Sequence, residues 1–115
     1  LGAYWEQLTG MPIPLGGIAV RRDLPQEVQK LVNNLVGQSV RHARQNPGQT
    51  LEYVSAHAQE MDPDVMKAHI QLYVNDFTEH LGYTGTNAVE RLMAEAINRG
   101  IINPLPESLS LFVRE

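Results

Sequence analysis

Three prolines, Pro25, Pro47 and Pro63, constrain this chain most, because each stands where a helix can begin and none where one can continue. Proline lacks an amide hydrogen and has a fixed φ, so it suits a first helical turn and breaks a helix interior. Pro25 follows Asp23 and precedes Glu27, an acid placed at the positive end of a helix dipole. Val28, Leu31, Val32, Leu35, Val36, Val40 and Ala43 then recur at i, i+3, i+4 and i+7, which predicts a helix to about Gln45 with one buried face. Asn46-Pro47-Gly48-Gln49 restarts the chain with an Asn cap, proline at the first position and Gln three residues after the cap. Leu51, Val54, Ala58 and Met61 carry that second helix inward. Asp62-Pro63-Asp64 opens a third, with an inner face of Met66, His69 or Ile70, Tyr73, Val74, Phe77 and Leu81, and Gly82 as its left-handed terminator. After a turn over residues 83–86, Val89, Leu92, Met93, Ala96 and Ile97 form a fourth helix, which Gly100 ends. The tail, with Leu109, Leu111, Phe112 and Val113, is expected to dock on a neighbouring surface.

Residues 1–23 read differently. A short helix over residues 2–9 clusters Tyr4, Trp5 and Leu8 on one side. Residues 10–17, Gly-Met-Pro-Ile-Pro-Leu-Gly-Gly, forbid a regular helix and mark a shaped loop. Ile18-Ala19-Val20, followed by Arg21-Arg22, is a β-prone run with no partner strand in this region. The expected fold is therefore mainly α, four to five helices plus one hinge strand. An unpaired strand implies that its sheet lies on other polypeptide. The opening Leu1-Gly2-Ala3-Tyr4-Trp5 has neither an initiator Met nor a basic-then-apolar leader pattern. The chain is accordingly expected to be processed or part of a longer protein.

Few chemistries fit the residues present. At 115 residues, 43% apolar and 19% charged, the chain makes one globular domain. A net charge of −4 removes the usual drive toward nucleic acid and anionic membranes, and the apolar stretches are too short to span a bilayer. There is no cysteine, so thiolate chemistry and disulfides are absent; a reducing cytoplasmic origin fits. His42, His57, His69 and His80 lack any metal-ligand spacing, and no metal or cofactor is expected. Asp62 with Asp64 suits a helix N-terminus; Asp76 with Glu79 and Glu90 with Glu95 suit exposed helix faces. Ser39, Ser55, Ser108 and Ser110 have no His/Asp context, so no catalytic residue is assigned. One of Arg21 and Arg22 can reach an anionic ligand, because strand neighbours point to opposite faces; the competing reading is a surface ion pair. Leu15-Gly16-Gly17 either lets a ligand approach the backbone closely or is a stiff connector.

At this loop a family resemblance enters. Leu1-Gly2-x-x-Trp5, Thr9-Gly10-x-Pro12-x-Pro14-Leu15-Gly16-Gly17-Ile18 and Arg21-Arg22-Asp23-Leu24 together resemble the later part of the 1,4-dihydroxy-6-naphthoate synthase family. His57-Ala58-Gln59-Glu60-Met61, Tyr73-Val74-Asn75-Asp76-Phe77 and Ala88-Val89-Glu90-Arg91-Leu92 are similar to it as well. The likeness covers essentially the whole chain and less than half of the family's length, its C-terminal portion. Chorismate dehydratase, a related enzyme, lacks the two glycines.

The resemblance implies an α/β parent of the type II periplasmic-binding-protein-like kind, two lobes with the ligand between them. Residues 1–23 would be a loop and hinge strand from the second lobe, and residues 24–115 a helical part packing on the first. The family's reaction is a lyase step of the futalosine route to menaquinone, converting cyclic dehypoxanthinyl futalosine to 1,4-dihydroxy-6-naphthoate without a cofactor. Its proton-abstracting histidine lies upstream and corresponds to none of the four histidines here, so this chain alone is expected to be silent. Leu15, Gly16 and Gly17 are what remains of substrate binding. The alternatives are the C-terminal part of a periplasmic-type solute-binding protein without catalysis, or a free-standing helical interaction domain. Bare apolar surface left by a missing lobe predicts self-association.

Overall fold

A computed structural model describes residues 1–59 and 62–113. The expected inward position of Met61, and Glu60-Met61 of the second family motif, lie outside the described residues. The helices are α1 (Gly2–Thr9), α2 (Gln26–Gln45), α3 (Pro47–His57), α4 (Pro63–Tyr73), α5 (Asp76–Glu79) and α6 (Gly82–Asn98). The mainly α expectation holds, with six helices among the described residues.

Local chemistry explains where each begins and ends. α1 buries Trp5 but leaves Tyr4 and Leu8 exposed, so only one of its three clustered side chains enters a core. Asp23 pairs with Arg21 instead of capping α2. The Gln29 side-chain amide ties α2 to the chain before it, donating to the Arg22 carbonyl at 3.2 Å and the Leu24 carbonyl at 2.7 Å. Asn46 does not cap α3 through its side chain. Its side-chain amide donates backwards to the His42 carbonyl at 2.9 Å, a second bond beside the one from Asn46's own backbone amide, and so closes the last turn of α2. Asp62 does cap α4, accepting from the amides of Asp64 and Val65 at 2.9 and 3.2 Å.

The third predicted helix is broken in two. Asn75 accepts from the Phe77 amide at 3.0 Å, and its own amide donates to Thr78 Oγ1 at 3.1 Å, a capping box. Those side chains outcompete helix continuation, so α4 stops at Tyr73 and α5 starts afresh. Gly82 is left-handed as expected, at φ +59°, but it stands at the joint where α6 opens, earlier than the turn predicted over residues 83–86. Gly100, at φ +67°, closes α6.

No strand occurs among the described residues. Residues 18–22, expected as a hinge strand, are not helical and join no ladder; Arg22 already lies in the turn that leads to α2. The core is correspondingly thin. Of the described apolar side chains only Trp5, Met66 and Ala88 are buried. The accessible surface is 9255 Å², against about 6,300 Å² expected for a compact chain of 12.8 kDa. The radius of gyration is 16.7 Å, where about 13 Å is usual at this length. The buried face predicted for α2 is only half covered, and none of its residues is fully buried.

The best-formed contact joins α2 to α5. Gly37 lets the two approach closely, since a Cβ there would lie 3.2 Å from the Glu79 carbonyl oxygen. Arg41 Nε donates to Glu79 Oε1 at 2.6 Å, and Arg44 reaches Glu79 Oε2 at 3.1 Å and Asp76 Oδ1 at 2.8 Å. Asp76 and Glu79 therefore form a clasp on α2, not merely an exposed helix face. Hydrogen bonding from Arg41 above all, with Arg44 adding its charge, holds the Glu79 carboxyl below its ordinary value, against the opposing effect of desolvation.

Candidate functional site

The loop singled out in the sequence is anchored at one end and bare at its tip. The Gly10 amide donates to the Glu6 carbonyl at 2.8 Å, and Thr9 Oγ1 donates to the Trp5 carbonyl while accepting from the Met11 amide at 3.1 Å. Ile13 packs back on α1, its Cγ2 lying 3.7 Å from where a Gly2 Cβ would stand. Residues 11–14 are half-buried. Leu15 then turns out to 73% exposure. Gly16 and Gly17 have ordinary backbone signs, and a Cβ added to either would meet nothing within 4 Å. Neither glycine is required by the chain's own turns or packing.

Beyond the tip the chain runs against α2. Ile18, Val20, Val32, Asn33, Val36 and Val113 line a shallow groove between this segment, α2 and the tail. Arg22 Nη1 donates to the Ser110 carbonyl at 2.7 Å, which holds the docked tail in place. Arg21 grips the Asp23 carboxylate, with Nε 3.0 Å from Oδ1, and this contact lowers the pKa of Asp23. Arg21 thus makes the surface ion pair, whereas Arg22 is held by a neutral backbone carbonyl. Ile18 is 77% exposed.

Three of the histidines make contacts with helix residues elsewhere in the chain. His42 Nε2 meets Gln49 Oε1 at 3.2 Å, and His57 Nδ1 lies 2.8 Å from the Tyr53 carbonyl oxygen with its ring stacked on Tyr53 at 4.2 Å. His69, a candidate for the inner face of its helix, is exposed and tilts against Tyr73 at 4.5 Å; Ile70, the alternative, is 41% exposed. Met66 is the buried residue of α4. Glu95 bonds Arg91 at 2.8 Å, which places it in an ordinary helix-surface pair. Among the described residues no three His, Asp or Glu side chains converge to hold a metal, and no helix is long and apolar enough to cross a membrane. Sequence reasoning missed the Arg41–Arg44–Asp76–Glu79 cluster, whose members are 32 to 38 residues apart and leave no local signal.

The chain thus has a helical body, a bare glycine loop and no assembled catalytic group among the described residues. Comparison with known proteins supplies the class: the chain belongs to a menaquinone-biosynthesis family, whose model matches residues 1–98. More particularly, it is 45% identical over 109 residues to the 1,4-dihydroxy-6-naphthoate synthase of Thermus thermophilus, covering 95% of this chain and 40% of the relative. It is 43% identical over 111 residues to the Streptomyces coelicolor protein of the same name, covering 96% of this chain and 39% of that one. The chain therefore spans about two fifths of the length of these relatives. The family read from the opening motifs is the family found.

Proposed function

We propose that this chain is the C-terminal part of an enzyme that converts cyclic dehypoxanthinyl futalosine to 1,4-dihydroxy-6-naphthoate, a lyase step in menaquinone biosynthesis. The observation that carries the reading is likeness at 43–45% identity along 95–96% of the chain to proteins named for that product. The solute-receptor alternative has no comparable support. The proton-abstracting histidine belongs to the part of the enzyme that this chain does not span, and the reaction runs in the cytoplasm without a metal or organic cofactor. Residues 24–115 pack on a first lobe, and residues 18–22 pair with its sheet as the hinge strand of a two-lobed α/β parent.

In this reading Leu15, Gly16 and Gly17 line the cleft. The open space around both glycines leaves their backbone free for a substrate, where a side chain would intrude. The test uses the longer protein that contains this sequence, supplied with cyclic dehypoxanthinyl futalosine, with the naphthoate product as readout. Turnover is expected, and the 115-residue chain alone should give none. Gly16→Val should cut kcat/KM about tenfold or more while leaving the thermal midpoint in place. A folded longer protein without turnover would overturn the assignment.

A further inference from the structure

The glycine loop is a stiff arm on one soft joint. Pro12 and Pro14 fix their own φ, and a residue ahead of a proline is confined to extended backbone, so Met11 and Ile13 are restricted as well. Gly10, at the base of the arm, is the opposite. It is left-handed at φ +69°, and a Cβ there would meet nothing within 4 Å, so no packing holds it. Its own amide is held by the Glu6 carbonyl at 2.8 Å, which leaves rotation about ψ of Gly10 as the free motion of the joint. From Met11 to Gly16 the arm reaches at most about 17 Å, so a swing of about 10° at Gly10 carries its tip about 3 Å.

One side chain spans that joint. Thr9 Oγ1 donates to the Trp5 carbonyl at 2.8 Å on the helix side and accepts from the Met11 amide at 3.1 Å on the loop side. The Met11 amide lies on the peptide plane that ψ of Gly10 turns, so this second bond locks the one free rotation. Its other end stands on Trp5, the buried residue of α1. Thr50 shows the ordinary case for comparison: its hydroxyl donates to the Pro47 carbonyl at 3.1 Å, within its own helix. We propose that Thr9 is a positioning residue, whose hydroxyl aims the arm so that the backbone of Gly16 and Gly17 meets the substrate. The role rests on the reading that residues 15–17 line the cleft. A misplacement of about 1 Å at a reacting site can lower the rate about a hundredfold, so a joint that lets the tip stray by more has to be locked. The competing role is a plain bond at the end of α1, since threonine hydroxyls commonly bond the carbonyl four residues back. That role accounts for the Trp5 contact and not for the one to Met11.

The test uses the longer protein that contains this sequence, with Thr9→Val removing the hydroxyl at nearly constant shape. Exchange of the Met11 amide should rise about fivefold as its acceptor is lost. KM for cyclic dehypoxanthinyl futalosine should rise about tenfold with kcat within about twofold of wild type, because the arm meets the substrate and not the proton being moved. Thr9→Ser keeps the hydroxyl and should restore both readings, while Thr50→Val should move neither. An unchanged KM in Thr9→Val beside impaired turnover in Gly16→Val overturns the proposal and leaves the enzymatic reading standing. A fall in kcat and thermal midpoint at constant KM, not reversed by serine, gives Thr9 a structural role alone and overturns it as well. A folded longer protein without turnover removes the enzymatic reading, and this role with it.

Discussion

Gly85 and Gly48 both sit in helices, yet their surroundings assign them opposite roles. A Cβ at Gly85 would stand 3.0 Å from Leu81 Cδ2 and 3.1 Å from Phe77 Cδ1, whereas one at Gly48 meets nothing within 4 Å. Gly85→Val should therefore destabilise the chain by about 1–3 kcal/mol through overpacking. Gly48→Ala should stabilise it by about 0.5–1 kcal/mol, since alanine loses less entropy in a helix. Urea midpoints of the two variants check both signs. Single residues were legible where their chemistry acts within a few positions: Asp62 caps the helix it precedes, and Gly82 and Gly100 are left-handed where terminators were expected. Asn46 was not, because it lies between the end of one helix and the start of the next, and local sequence does not say which one its side chain serves.

At the level of elements, the α2–α5 clasp sets how the chain responds to acid. Glu79 has its pKa lowered from 4.5 chiefly by the Arg41 hydrogen bond. A carboxyl depressed by folding contributes stability that is complete above its ordinary pKa and drains away as pH falls through the lowered folded value. Arg44, its pKa raised first by Asp76, stays charged throughout. Denaturation midpoints followed from neutral pH downward should thus decline below about 4.5. Glu79→Gln should lower the midpoint at neutral pH and flatten part of that decline, and added salt should weaken the wild-type effect. Asp76→Asn should do less, since the Asp76 side chain is 92% exposed. Pro25, Pro47 and Pro63 made the starts of α2, α3 and α4 readable, and Asn75-x-x-Thr78 held the signal for the break that periodicity alone overran. The clasp was invisible because its ion pairs join residues far apart in the chain.

For the whole molecule, the deciding fact is a chain 43% apolar with only three apolar side chains buried among its described residues. Little surface is exposed on unfolding when so little is buried. The urea m-value of the 115-residue chain, measured under conditions where it is monomeric, should accordingly fall below that of a compact domain of equal length. Composition indicated one domain and periodicity a helical body, but neither shows how much of the apolar surface finds cover within the chain.

Amide hydrogen exchange at Ile18, Ala19, Val20, Arg21 and Arg22 tests the central proposal, that this run is a hinge strand whose sheet lies in the part of a longer protein that this chain does not span. The 115-residue chain should exchange these amides rapidly, and the longer protein should protect them by orders of magnitude. Protection already present in the short chain, or exchange equally fast in both, would contradict the account.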